Sequence, residues 1–227
     1  MEAAVLTYDF DRFHPAEILS LIGKYRVTTL CCPPTMYRMM MQENIDRFDL
    51  SSLEYSTTAG EALNPDLFDF WKEHTGLTIF EGFGQTETPL TVANLTHAVP
   101  KPGSMGRPSP AFHIEVQRGD GSRCDVGETG EVCIDVHEKA PGIMLEYFRN
   151  PEKTEAAVFD GWYHTGDTAW VDEDGFFWYV GRNDDVIKSS GYRIGPFEIE
   201  SVLLEHDSVR ECAVTGVDRK SVGRERV

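Results

Sequence analysis

The first hundred residues alternate between two periodicities, and that alternation leaves few architectures open to the chain. Short apolar, β-rich runs ("AAVLTYD", "RVTTLCC", "LEYSTTAG", "LTIFEGFG") are separated by stretches of helical pattern. Ile18, Leu21, Ile22 and Tyr25 fall at i, i+3, i+4 and i+7 behind Pro15, which suits a first helical turn. Asn64 followed by Pro65 is a cap and a start, with the stop near Gly76. This strand–helix order predicts an α/β fold, a parallel sheet with crossover helices. Such sheets bind ligands beyond the carboxyl ends of their strands, where "TTAGEAL" and "EGFGQTE" fall.

The character changes at "VPKPGSMGRPSP", a Pro/Gly-rich connector over residues 99–110. Beyond it "FHIEVQ" and "TGEVCIDV" alternate, and "TAWVDEDGFFWYVG" reads as two strands about an Asp174-Gly175 turn. A small antiparallel β subdomain is expected there, with the aromatics of "GFFWY" as core packing. From Gly181 a polar turn leads through a short hairpin into a helix starting at Pro196, with Ile199, Val202 and Leu203 on one face. "VRECAVTGV" reads as a further strand. The expected divisions are 1–98, part of a large α/β domain, 99–183, the β subdomain, and 184–227, a hinge with an incomplete α+β C-terminal domain.

Charge narrows the partners. With 38 acidic against 21 basic residues the net charge is −17, which argues against nucleic acid. A small polyanionic ligand must therefore meet locally placed donors, with or without a metal. The five cysteines (31, 32, 124, 133, 212) are odd in number and lack paired metal-ligand spacing, so they read as reduced, mostly buried thiols in a cytoplasmic protein. No basic n-region precedes an apolar stretch, and no run approaches a membrane span of about 20 residues. His74, His97, His113, His137 and His206 are scattered and read as structural, as does His164.

Taken singly, each glycine loop is as consistent with a purely structural role, a tight turn leading into a helix cap, as with a binding site. The functional reading has a physical basis. Glycines let backbone N–H groups approach a phosphate, and a threonine hydroxyl donates to its oxygen. A neighbouring carboxylate holds Mg²⁺ against the same phosphate.

"TTAGEALNP", "EGFGQTE", "PGSMGRP", "GETGEV", "YHTGD" and "GRNDDVIKSSGYRIGPFEIE", in that order, resemble the adenylate-forming superfamily of acyl-CoA synthetases, luciferases and peptide-synthetase adenylation domains. The resemblance runs over about residues 3–217 and is strongest to acetyl-CoA synthetase-like and medium-chain acyl-CoA synthetases. It implies an AMP-forming acid–CoA ligase that uses ATP, Mg²⁺, CoA and a small-molecule carboxylic acid. It implies that Gly60, Glu61 and Ala62 line the adenine, with Glu81, Gly82 and Phe83 opposite, and that Gly84 and Gln85 belong to the same nucleotide loop. Thr86 is implied at the α-phosphate, Glu87 at the Mg²⁺, and Asp167 at both ribose hydroxyls. A carboxylate suits a diol because it has two acceptor oxygens and no competing donor. Arg182 is implied at the ribose and phosphate, Asp184 as the hinge, Ser190, Gly191 and Tyr192 at the pantetheine arm of CoA, and Arg193 at the nucleotide or thiol end. Acetate-specific relatives carry tryptophan where Gly84 stands, so an acyl pocket enlarged at Gly84 is expected, favouring longer or aromatic acids over acetate.

The family's upstream phosphate loop with its lysine, and its C-terminal catalytic lysine, find no match in these residues. The chain is accordingly expected to be an internal, truncated piece, inactive alone, with "DRKSVGRERV" as an aberrant end. Two alternatives stand beside the CoA ligase: an adenylation domain loading a carrier protein, and a non-catalytic nucleotide-binding fragment.

Overall fold

The computed structural model describes residues 4–61, 63–95, 99–137, 141–189, 192–204, 206, 208–209 and 212–217. Helix α1 (Pro15–Tyr25), strand β1 (Thr29–Cys31), helix α2 (Pro34–Met41), strand β2 (Tyr55–Ala59), helix α3 (Pro65–Thr75) and strand β3 (Ile79–Phe83) follow the expected alternation. Asn64 caps α3 by accepting from Asp66 N at 2.9 Å, and the helix ends at Gly76. Strands β1, β2 and β3 pair in parallel, with Cys31 opposite Thr57 and Ala59 opposite Gly82.

The sheet is mixed, not parallel throughout. Strands β4 (Val92–Ala93) and β5 (Arg107–Pro108) extend it antiparallel, in the order β1-β2-β3-β4-β5. The physical reason lies in the connection. Residues 84–91 join β3 to β4, and parallel return needs a crossover of about a dozen residues or more. Strand β5 comes from the Pro/Gly-rich connector, which is also stitched to the next sheet: Met105 N donates to Phe177 O, and Phe177 N to Gly106 O.

The second sheet is antiparallel, as expected. Strands β6 (Ile114–Gln117), β7 (Gly130–Asp135), β8 (Val158–Phe159), β9 (Trp162–Val171) and β10 (Phe177–Arg182) give the order β10-β9-β7-β6, with β8 against β9. Helix α4 (Pro151–Ala157) precedes β8. The turn at Asp172–Gly175 joins β9 to β10, and Lys101 clamps it through Asp172 (2.6 Å) and Asp174 (2.7 Å). Burial works against ionisation of Asp172, but Lys101 and the donors of Phe176 and Trp178 hold its carboxyl down to about 2. A hairpin of β11 (Ile187–Ser189) and β12 (Tyr192–Ile194) leads to helix α5 (Pro196–Leu204).

Two apolar clusters form the core. One packs α1, α2 and α3 on the first sheet around Leu19, Ile22, Tyr37, Met40 and Trp71. There Tyr37 meets Trp71 edge-on at 4.9 Å, and the Trp71 indole N–H donates to Ser56 at 3.0 Å. The other cluster gathers Val92, Met105, Ile114, Val132, Tyr163 and Phe177.

Several expectations fail. Residues 4–10 form no strand, and Val5 and Leu6 are exposed. The buried stripe of α1 is Leu19 and Ile22, rotated from the expected one, with Tyr25 exposed. Residues 212–217 of "VRECAVTGV" are not a strand; Val214 N instead donates to the Glu200 carboxylate at 2.7 Å. Cys31 is exposed while Cys32 and Cys133 are buried, so the adjacent pair does not pack as one unit. The expected face of α5 is not among these: Ile199, Val202 and Leu203 lie on the helix, and all three are exposed.

Candidate functional site

The site begins where two parallel strands stop. Gly60 and Glu61 follow β2, and Gly84 to Glu87 follow β3, so both loops leave the same edge of the sheet. The Glu61 carboxylate is held at the start of α2, accepting from Thr35 N (3.2 Å) and Thr35 Oγ1 (2.5 Å), where the helix dipole favours negative charge. Thr88 closes the loop after β3 by accepting from Gln85 N at 3.0 Å and donating to Pro89 O at 2.9 Å.

Glu81 points inward. Its Oε1 accepts from Leu63 N at 3.3 Å, and its buried Oε2 has no partner among the described residues. Burial pushes its carboxyl from 4.5 up to about 8, so it is neutral at pH 7.

Opposite stand β9 and β10. A bulge between Tyr179 and Gly181 shifts the register so that Arg182 faces Asp167. Asp167 is buried and collects three partners: Gln85 Nε2 at 2.5 Å, Tyr179 Oη at 3.3 Å and Arg182 Nη1 at 3.6 Å. Burial raises its pKa, while Arg182, Gln85 and Tyr179 pull it back. Gln85 spans the gap, its Nε2 also donating to Thr165 O (2.9 Å) and its Oε1 accepting from Tyr163 (2.6 Å).

Between these walls lies a cavity of about 360 Å³, lined by Gly60, Glu61, Glu81, Gly82, Phe83, Gly84, Gln85, Asp167 and Arg182, together with Met105 and Tyr179. A neighbouring cavity of about 500 Å³ shares Gln85 and Arg182 and contains Thr86, Glu87, Tyr147, Lys153 and His164. There Glu87 Oε1 accepts from Tyr147 Oη at 2.9 Å, and Glu87 O accepts from Met144 N at 2.8 Å. Asp184 lines a third cavity of about 860 Å³ beside Pro196, Phe197 and Glu200, and its Oδ1 lies 3.6 Å from Arg182 Nε.

Eleven of the residues singled out by sequence thus meet around two adjoining cavities: the nine of the first, with Thr86 and Glu87 in the second. Ala62, Ser190 and Gly191 lie outside the described residues; Tyr192 and Arg193 are on β12, paired with Ser189 and Lys188. Sequence reasoning missed Tyr147, Tyr163 and Tyr179, the hydroxyls that hold Glu87, Gln85 and Asp167. The available signal was the period of two along β9 and β10, which sets Tyr179 on the face of Phe177 and across from Asp167's strand. Gly84 does not leave the expected room. A Cβ there would stand 2.4 Å from Pro89 O, so the main chain of residues 89–90 already occupies that direction.

The AMP-binding enzyme family model matches residues 2–148. The chain belongs to this family. It is 45% identical over 213 residues to rat mitochondrial acyl-coenzyme A synthetase ACSM3, covering 93% of this chain and 37% of that protein. It is 44% identical over 204 residues to the acyl-CoA ligase YtcI of Bacillus subtilis, covering 89% of this chain and 38% of that one. Among solved structures, the anthranilate CoA ligase AuaEII in complex with anthranoyl-AMP superposes with a TM-score of 0.83 at 34% identity, over 90% of this chain and 39% of that one. The o-succinylbenzoate CoA synthetase of Bacillus subtilis, bound to ATP and magnesium, gives 0.79 at 32% identity, over 92% and 43%. The chain therefore spans well under half the length of these family members. The mammalian relatives correct one expectation: ACSM3 of rat, mouse and human is mitochondrial, against the cytoplasmic location read from the cysteines. No helix among the described residues is long and apolar enough to cross a membrane.

Proposed function

We propose that these residues form the nucleotide-binding part of an AMP-forming acid–CoA ligase. In the whole protein, a carboxylate would attack the α-phosphate of ATP, releasing pyrophosphate and leaving an acyl-adenylate. The CoA thiol would then displace AMP to give the thioester. The observation that carries this reading is the meeting of the glycine-rich end of β3 with buried Asp167 and Arg182 across one cavity.

The described residues around the two cavities have roles suited to their surroundings. Gly60, Glu61, Ala62, Glu81, Gly82 and Phe83 flank the base, where a neutral Glu81 adds no charge. Asp167 accepts from the ribose diol and Arg182 donates to ribose and phosphate. Thr86 donates to the α-phosphate beside Gln85. Glu87, its Oε1 already fixed by Tyr147, fits as a magnesium ligand because the ion takes one or two carboxylates and keeps several waters. Mg²⁺ held there supplies charge neutralisation along the phosphates. Asp184 is the hinge, Ser190, Gly191 and Tyr192 meet CoA, and Arg193 approaches the thiol end, within the divisions 1–98, 99–183 and 184–227. With the mammalian relatives, the location is mitochondrial.

Free CoA is favoured over a carrier protein as acceptor, because the similar proteins are named as CoA ligases. For the acid, a medium-length or aromatic carboxylate is proposed, because similar proteins of solved structure are named as anthranilate and benzoate CoA ligases. Turnover is assigned to the whole protein. The two cavities carry Arg182 and Lys153 as basic side chains, against Glu61, Glu81, Glu87, Glu131 and Asp167, too few cations for a triphosphate in its transition state.

Calorimetry of the 227-residue chain with MgATP and with AMP, beside a pyrophosphate-exchange assay, tests the reading. Nucleotide binding without exchange is expected. Absence of any adenine-nucleotide binding, or acid-dependent exchange by the isolated chain, would overturn the corresponding half. In the full-length enzyme, kcat/KM should be higher for hexanoate or benzoate than for acetate.

A further inference from the structure

Beside the proposed phosphate and magnesium residues, and with no role assigned among them, three metal-ligating side chains of different chemistry gather where β7 pairs with β9. Cys133 is the direct cross-strand partner of His164, and Glu131 lies two residues before Cys133. Cys133 Sγ stands 3.5 Å from His164 Nδ1, and that nitrogen stands 3.1 Å from Glu131 Oε2. All three ligand atoms lie within 4.8 Å of one another.

We propose that Glu131, Cys133 and His164 form a zinc site. Tetrahedral zinc holds sulfur at about 2.3 Å and nitrogen or oxygen at about 2.0–2.2 Å, which sets neighbouring ligand atoms about 3.4–3.6 Å apart. The sulfur–nitrogen separation already has that value, and the nitrogen–oxygen separation needs to open by about 0.3 Å. A sulfur, a nitrogen and an oxygen together suit a borderline-soft ion and not magnesium, which takes hard oxygen ligands.

The ligands are held in advance. Glu131 Oε1 accepts from Gly166 N at 2.9 Å, which aims Oε2 at the histidine. The His164 ring is stacked on Phe159 with centroids 3.8 Å apart and planes 3° apart. Cys133 is fully buried. Glu131 and His164 both line the cavity of about 500 Å³, giving the ion an entry path and a fourth position for water. Uptake would release the Cys133 thiol proton to solvent. Since Glu131 also holds Gly166, the bound ion would stiffen the part of β9 that presents Asp167. The simpler alternative is a histidine donating to a glutamate with a cysteine packed beside it, and it predicts no affinity for zinc.

The experiment is a titration of the chelator-treated chain with Co²⁺ as a spectroscopic stand-in, followed by Zn²⁺. One equivalent of cobalt should produce a near-ultraviolet thiolate-to-metal band and intense visible bands of a tetrahedral site. Zinc should bleach them, excess Mg²⁺ should not, and zinc should raise the thermal midpoint. Glu131→Gln and His164→Gln should each weaken zinc binding by at least about tenfold. Cys133→Ser should abolish the near-ultraviolet band, whereas Cys31→Ser, at an exposed thiol, should leave it intact. Should Cys133→Ser fail to fold, the other two variants carry the test. Absence of a thiolate band in the unmodified chain at stoichiometric cobalt overturns the site, as does unchanged zinc affinity in both Glu131→Gln and His164→Gln.

Discussion

The two walls of the candidate nucleotide cavity each carry a buried carboxyl group and treat it in opposite ways. On the wall from the first sheet, Glu81 has one backbone donor, an orphaned oxygen and a carboxyl pushed up to about 8. On the wall from the second sheet, Asp167 is equally buried but has Gln85, Tyr179 and Arg182 around it. The first wall is made of glycines, Phe83 and a neutral acid, with the Glu61 carboxylate tied back to Thr35, so it offers shape and close main-chain approach. The second is a bonded network with a cation, so it offers oriented polar groups. A ligand with a flat uncharged end and a hydroxylated, anionic end matches that asymmetry.

The strongest way to break the comparison is pH. Glu81's folded pKa lies above its ordinary value of 4.5, so the folded state binds the extra proton. Its stabilising contribution is fully present below about 4.5 and is lost as pH rises through about 8, by at most about 1.4 kcal/mol per pH unit. Glu81→Gln should flatten the fall of stability across that window, with a gain of a few kcal/mol at its alkaline end. Denaturant melts at pH 5 and pH 8.5 measure it; equal slopes in both proteins would show that Glu81 is ionised and partnered.

Next in size is the main-chain approach on the same wall. Gly84→Ala puts a Cβ 2.4 Å from Pro89 O, and backbone must move to admit it. A loss of about 2–4 kcal/mol is expected, in the range of overpacking and backbone strain. Gly60→Ala is the control. Its φ of 91° strains a side chain, but a Cβ there meets nothing within 4 Å, so about 1–2 kcal/mol is expected. Comparable thermal shifts for the two would mean that the loop after β3 is not tightly closed.

The two walls also differ in how much of them was legible in the sequence. Apolar runs ending in glycine, with a cap at Asn64, placed β2, α3 and β3 and the loops behind them, because those signals are local. The second wall depends on pairing between β9 and β10, whose bulge brings Arg182 to Asp167, and no local pattern encodes that register. Tyr179 read as core because it sits in the apolar run "GFFWY"; only the tertiary structure shows where its hydroxyl points. The mixed sheet was missed because its antiparallel strands β4 and β5 are two residues each, too short for any periodicity. The volume inferred at Gly84 failed for a related reason: absence of a side chain says nothing about what fills the space.

On the second wall, Asp167→Ala in the full-length enzyme should weaken ATP binding by about 1–3 kcal/mol, the usual loss of a charge-assisted hydrogen bond. It also strands Gln85 Nε2 and the Tyr179 hydroxyl, so some loss of stability accompanies it. Asp167→Asn separates the two effects. It keeps one acceptor oxygen but replaces the other with an NH₂ that confronts Arg182 or the diol. Its melting temperature should therefore change less than its nucleotide affinity. If ATP affinity by calorimetry is the same in all three proteins, the ribose does not lie against Asp167.

The smallest effect concerns Tyr147, which the comparison predicts should matter for magnesium and not for the nucleotide itself. Its hydroxyl donates to Glu87 Oε1 at 2.9 Å, and its ring lies under Lys153 Nζ at 4.0 Å. Tyr147→Phe removes only the hydroxyl. The ring and its contact with Lys153 remain, so the stability cost is confined to one partly buried hydrogen bond, about 0.5–1.5 kcal/mol. If Glu87 is the magnesium ligand, freeing Oε1 lets the carboxylate sample other rotamers, and each productive encounter with the ion must restore the lost order. Affinity for MgATP should fall several-fold, while affinity for AMP without metal stays unchanged. A Tyr147→Phe protein that loses AMP and MgATP affinity equally would place Tyr147 against the nucleotide. One that loses neither would remove Glu87 from the metal.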